Sequence, residues 1–187
     1  MKKVFKKLGV VAMTLSMFAF SSCEELKELI KFDFDLEGEA IEIVVDELEV
    51  GEEVEIGSAQ FEKSLEQIIQ EEAPDADLSK IKAITLTNIS MQILDGDEDN
   101  NFQNLGSISA EVRASGLQDL VVAKKEDIDS DNSLYQLNLP VEGGSVDVKK
   151  YFSKTDFQYV VKANVTKATT KPITLRITAD YSFTFGL

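Results

Sequence analysis

The 187-residue chain has no histidine. That removes Ser-His-Asp and Cys-His catalysis, histidine acid–base chemistry and ordinary zinc sites. It has no tryptophan either, so the strongest stacking and cation–π side chain is missing. Cys23 is the single cysteine. No internal disulfide can form, and stability must come from burial, with bound metal the one other staple on offer. Basic side chains are scarce: 19 Lys and Arg stand against 34 Asp and Glu, a net charge of −15. Nucleic-acid binding needs clustered cations to neutralise phosphates, so no nucleic-acid partner is expected. The same deficit argues against lying flat on anionic lipid.

What the chain does have begins at its N-terminus. Lys2, Lys3, Lys6 and Lys7 precede an apolar run from Leu8 to Phe20, broken only by Gly9, Thr14 and Ser16. Ser21, Ser22 and Cys23 follow. A basic start, a short apolar stretch and small residues make a secretory signal peptide over residues 1–22. The run is 13 residues long, and a membrane-spanning helix needs roughly 18 or more apolar residues. A cysteine directly after two small residues resembles the lipobox of bacterial lipoproteins, with Phe20 standing where that family usually has an aliphatic residue. The resemblance covers residues 1–23 alone. It implies that Cys23 is diacylated on sulfur, becomes the mature N-terminus and holds the protein to the outer membrane of a cell envelope. Glu24 and Glu25 resemble the acidic export signal of surface lipoproteins in some Gram-negative bacteria. Removal of residues 1–22 leaves 165 residues with 15 basic and 34 acidic side chains, a net charge of −19. Residues 23–31 read as a charged tether, with Leu26, Leu29 and Ile30 at helical spacing.

Beyond the tether the pattern is mostly of period two, which marks strands with one dry and one wet face. Phe32, Phe34 and Leu36 alternate with acids, and Ile41, Ile43 and Val45 follow Gly38. Val54 and Ile56 predict a short strand, as do Leu117 to Ala123 and Tyr135 to Leu139. Ile108, Ala110, Val112 and Ala114 alternate cleanly, and so do Phe157 to Val165. From Ile81 to Leu94 the apolar side changes near Asn88, which predicts a bulge or bend there. From Ile173 to Phe185 every odd position is apolar and every even one is Thr, Ser, Arg or Asp. One stretch has a different period. Phe61, Leu65, Ile68 and Ile69 share a helical face, predicting a helix over about 59–72 with Ser58 as its N-cap. Val148, Tyr151 and Phe152 predict one further helical turn, capped by Ser145 or Asp147. Eight to ten short strands and one amphipathic helix predict a mainly β protein. The expected architecture is an antiparallel β-sandwich, Ig-like or open-barrel-like, as a single domain over 32–187. A sub-lobe boundary, if one exists, falls near 57–78.

Two loops carry carboxylates at alternate positions. Asp95, Asp97 and Asp99 precede Asn100 and Asn101, and Asp127, Asp129 and Asp131 precede Asn132. Such spacing can turn several oxygens onto one point, and calcium takes six to eight hard oxygens. The spacing resembles the start of an EF-hand loop, with Asn where that family has Gly. The twelfth position, which should hold a bidentate Glu, is Gly106 in one loop and Asn138 in the other, and strands rather than helices flank both. An EF-hand is excluded. A calcium-stapled β-loop on Asp95, Asp97, Asp99 and Asn101, or on Asp127, Asp129 and Asp131, stays open beside the plainer reading of an acidic hairpin tip that discourages edge pairing.

Three function classes compete. The leading one is a non-enzymatic, lipid-anchored envelope protein with a binding, adhesion or scaffold role towards a protein or glycan. The second is a carrier of an apolar ligand held between helix and sheet. The third is a hydrolase built on paired carboxylates. Ser79-Lys80-Ile81-Lys82 matches S-x-x-K, but its companions S-D-N and K-T-G are absent. Tyr135, Tyr151, Tyr159 and Tyr181 fall on apolar positions and read as core or core rim.

Overall fold

A computed structural model describes residues 32–37, 40–60, 65–72, 78–128 and 133–185. Cys23, the tether and Gly38 lie outside the described residues.

Strict alternation makes the longest element. Strand β10 (Ile173–Phe185) buries every odd residue from Ile173 to Phe183 and half-exposes every even one. From Leu175 to Phe185 it pairs antiparallel with β4 (Ile81–Ile93). Tyr181 faces Leu86 while Asp180 faces Asn88, so Thr87 is an extra residue in β4. This is the expected bulge. It moves the apolar set from even positions before it to odd positions after it, which keeps Ile84, Leu86, Ile89, Met91 and Ile93 all in the core.

β1 (Phe32–Glu37) and β2 (Ile41–Val45) lie end to end on the other edge of β10. β7 (Gln136–Leu139) and β8 (Val146–Asp147) do the same along β4. The second sheet runs β3 (Gly51–Gln60), β9 (Gln158–Val165), β5 (Leu105–Arg113), β6 (Leu120–Glu126). All pairings are antiparallel, and the two sheets enclose one hydrophobic core. This is the expected mainly β, sandwich-like architecture.

One side of the sandwich is strapped. Between β7 and β8 the chain leaves the first sheet, and Val141 bridges Ala123 of β6 while the Lys124 amide donates to the Pro140 carbonyl at 3.2 Å. The opposite side has the edges of β1, β2 and β3. Among the described residues no strand pairs with the outer edge of any of them.

Several boundaries differ from the sequence reading. The helix α1 spans Leu65–Glu72, and Ile69 enters the core. Ser58, Ala59 and Gln60 are not its cap and first turn; they belong to β3 and pair with Val160, Tyr159 and Gln158. The partner strand β9 supplies what the weak local strand propensity of this Gly- and Glu-rich segment does not. β6 starts at Leu120 rather than Leu117 and runs on to Glu126, into the segment read as loop. A one-turn helix α2 (Lys149–Phe152) forms where predicted, and the Asp147 carboxylate accepts from the Lys149 amide at 2.9 Å. Its Phe152 stacks on Phe157 with centroids 4.4 Å apart and meets Tyr181 edge-on. Tyr159 and Tyr181 are fully buried and hydrogen-bond to each other through their hydroxyls. Burial pushes both phenols above the ordinary tyrosine value. Tyr135 and Tyr151 sit at the core rim.

Candidate functional site

The loop between β4 and β5 was the first candidate, and the structure divides its carboxylates among separate partners. Asp95 accepts from the Thr174 amide at 2.7 Å and the Thr174 hydroxyl at 3.0 Å, and these bonds hold its carboxyl below the usual range. Asp97 meets the Lys171 ammonium at 2.8 Å and accepts from the Asn100 side chain at 2.7 Å and the Asp99 amide at 3.0 Å. Lys171 and then Asn100 bring its pKa down to about 2. Asp99 pairs with Lys167 at 3.0 Å. Asn101 caps the short 3-10 turn Phe102–Asn104, accepting from the Gln103 amide and donating to the carbonyls of Asp97 and Glu98. Among the described residues no group of three or more acidic or cysteine side chains gathers as a metal site. In the other loop Asp127 has left-handed backbone at φ 53°, and Ile128 beside it is buried in the core. Asp129 and Asp131 lie outside the described residues.

The loop ties three crossings together. Asn100, Asn101 and Asn104 are all buried. Asn100 accepts from the Thr170 amide at 2.7 Å and donates to its hydroxyl at 3.0 Å. The Asn104 amide group reaches the carbonyls of Asp99, Lys167 and Ala168 at 2.9 to 3.2 Å. Thr169 then exchanges bonds with Leu48: its hydroxyl accepts from the Leu48 amide at 2.8 Å, and its own amide donates to the Leu48 carbonyl at 3.0 Å. Residues 46–50, 95–104 and 166–171 are thus pinned at one end of the sandwich without disulfides.

That pinning fixes the edge of a groove. The 46–50 connection and the 54–58 part of β3 border an open space of about 540 Å³. Leu48 is buried and anchors the connection. Val44 and Val50 on either side of it are 72% and 66% exposed. Asp46, Glu47 and Glu49 line the groove, with no ion-pair partner among the described residues. Glu55, the fourth carboxylate of the lining, pairs with Arg113 at 3.2 Å. β3 approaches β2 closely here, because a Cβ on Gly57 would stand 2.5 Å from Cγ2 of Ile43.

A smaller recess of about 110 Å³ lies on the outer face of the second sheet. Its floor is Ser107 and Ser109 of β5, beside Glu111. Glu111 is 7% exposed and sits 2.8 Å from the Lys162 ammonium, which it holds above the ordinary lysine value.

Inside the sandwich the space beside Phe102 and Leu48 measures about 10 Å³, enough for a water-sized probe. Pockets for small apolar ligands run to about 300–1,000 Å³. Sequence reasoning did not find Val44, Val50, Glu111 or Asn104, and it offered Asn101 only as a calcium ligand. The alternation placed Val44 and Glu111 on wet faces, but nothing local distinguishes a residue that stays exposed from one that a neighbouring strand walls in. No described helix is long and apolar enough to cross a membrane. No protein-family model matches the chain, and neither a curated protein nor a solved structure matches it.

Proposed function

We propose that the chain is an exported lipoprotein, held in the cell envelope by acyl groups on Cys23, and that it works by binding a partner at its surface rather than by catalysis. The observation that carries the reading is where the room lies. The groove outside β2 and β3 is about 540 Å³. A docking module needs an open, rigidly placed edge. The lack of histidine supports a non-catalytic role.

The test uses the full chain in a bacterial envelope. Cys23→Ala is expected to move the protein from the detergent phase to the aqueous phase. A photo-reactive residue at position 50 is expected to give covalent adducts, and one at position 182, on the outer face of β10, none. Retention of Cys23→Ala in the detergent phase would end the anchor reading. Equal labelling at both positions would end the docking one.

A further inference from the structure

We propose that the free edge of β2, with Val44, Val50 and the acidic connection beside them, receives an extended cationic strand from a partner protein. This rests on the surface-binding reading and names its occupant.

An edge strand presents unpaired N–H and C=O groups, and a second chain can add to it as a further strand. Proteins blunt such edges with charge, bulges and glycine. β3 is blunted in all three ways: it carries Glu52, Glu53 and Glu55, its register slips twice against β9, and it contains Gly51 and Gly57. β2 is not blunted in that way. Its outward residues are Glu42, already paired with Arg176 at 2.6 Å, and Val44, exposed in mid-strand. Gatekeeping explains the acids of β3 but not a valine at 72% exposure on an open edge.

Charge then selects the occupant. Asp46, Glu47 and Glu49 stand immediately beyond β2, and the groove lining contains no Lys or Arg. A second copy of this chain, with net charge −15, would meet repulsion. A strand with Lys or Arg on one face and aliphatic side chains on the other would satisfy the edge, cover Val44 and Val50, and neutralise the connection. Leu48, pinned by Thr169, holds these groups in place before binding, which lowers the ordering cost.

The probe is a fluorescent, end-capped octapeptide alternating lysine and valine, titrated against the full chain in non-ionic detergent and followed by anisotropy. Binding is expected to weaken with salt. The pair Val44→Thr with Val50→Thr, which leaves every charge in place, should weaken it at least about tenfold, as loss of buried anchor side chains does. Glu47→Gln with Glu49→Gln should weaken it and flatten the salt dependence. Glu98→Gln with Glu142→Gln, the same charge change elsewhere, should leave it as it was. A peptide with four lysines followed by four valines should bind more weakly than the alternating one. No binding, or equal weakening by the distant pair, would overturn the proposal in favour of general charge attraction. Self-association abolished by Val44→Thr would overturn it in favour of a second copy. Adducts from position 50 in the envelope, persisting in either case, would show that the docking reading survives while this occupant is wrong.

Discussion

Replacing Asn104 by alanine tests whether buried asparagines do here the work that disulfides do in disulfide-stapled proteins. The side chain donates to three carbonyls with two N–H groups and accepts from the Asn101 amide at 3.1 Å. About three net hydrogen bonds are lost, each worth about 0.5–1.5 kcal/mol. Asp99, Lys167 and Ala168 are exposed, so water can take over their carbonyls. Asn101 is 5% exposed, and its N–H is left buried without an acceptor. The expected cost is therefore about 2–4 kcal/mol. At about 2–4 °C per kcal/mol for a chain of this size, Tm should fall by about 4–16 °C. Asn104→Asp keeps the acceptor but turns an oxygen towards the three carbonyls. Its carboxyl pKa in the folded state should rise above the unfolded value, so this variant should lose further stability as pH climbs through the carboxylate range and regain some at about pH 4. The assay is urea unfolding followed by circular dichroism, with exposed Asn138→Ala on β7 as the control, expected within about 0.5 kcal/mol of the parent. A loss below about 1 kcal/mol for Asn104→Ala, or an Asp variant indifferent to pH, would refute the reasoning.

Tyr159→Phe and Tyr181→Phe should each cost about 1–3 kcal/mol by breaking the buried hydroxyl pair, and the double variant less than the sum; additive values in urea unfolding would dissolve the coupling. Gly57→Ala should cost about 1–3 kcal/mol through the contact with Ile43, and less in an Ile43→Ala background; an unchanged midpoint would mean that β3 simply shifts. Asp97 should titrate at about 2 by NMR, and Lys171→Met should raise that midpoint. Because the folded pKa is depressed, the stabilisation from this pair is complete above the unfolded value near 4 and disappears as pH falls towards about 2; a midpoint unmoved by Lys171→Met would show the pair to be idle. Calcium and magnesium at equal ionic strength should shift Tm alike, since Thr174, Lys171 and Lys167 already engage the three carboxylates; a calcium-specific rise abolished by Asp97→Ala would show a metal role for the loop.

Legibility in the sequence followed the range of the interactions. β10 could be read residue by residue, because alternation between a dry and a wet face is written locally. The bulge at Thr87 was visible as a switch of parity in β4. Ser58 to Gln60 misled for the opposite reason. Serine before a helical pattern is a good local cap signal, yet pairing with β9, a hundred residues away, outweighed it. Asp95, Asp97 and Asp99 were grouped by spacing, but their partners are Thr174 at the start of β10 and Lys171 and Lys167 on the turn before it, and no local pattern says that this turn folds against the loop. Asn100 and Asn104 carry no hydrophobic signal at all, and their role exists only once that turn is folded against them.

The end-to-end placement of β1 and β2 on β10 sets how the domain would respond to a pull. Phe32 lies opposite Phe185 and Val45 opposite Ile173, so β1 and β2 run one way along a single neighbour. Tension applied between Phe32 and the 46–50 connection would travel through the covalent backbone of that run, with no ladder bond forced to slide or peel. Tension between Phe32 and the end of β10 would instead load the first rungs one at a time, as in a zipper. With a membrane anchor before the first strand and a partner at the second, as proposed above, β1 and β2 would form a tensile member, with the rest of the sandwich riding on it as a splint.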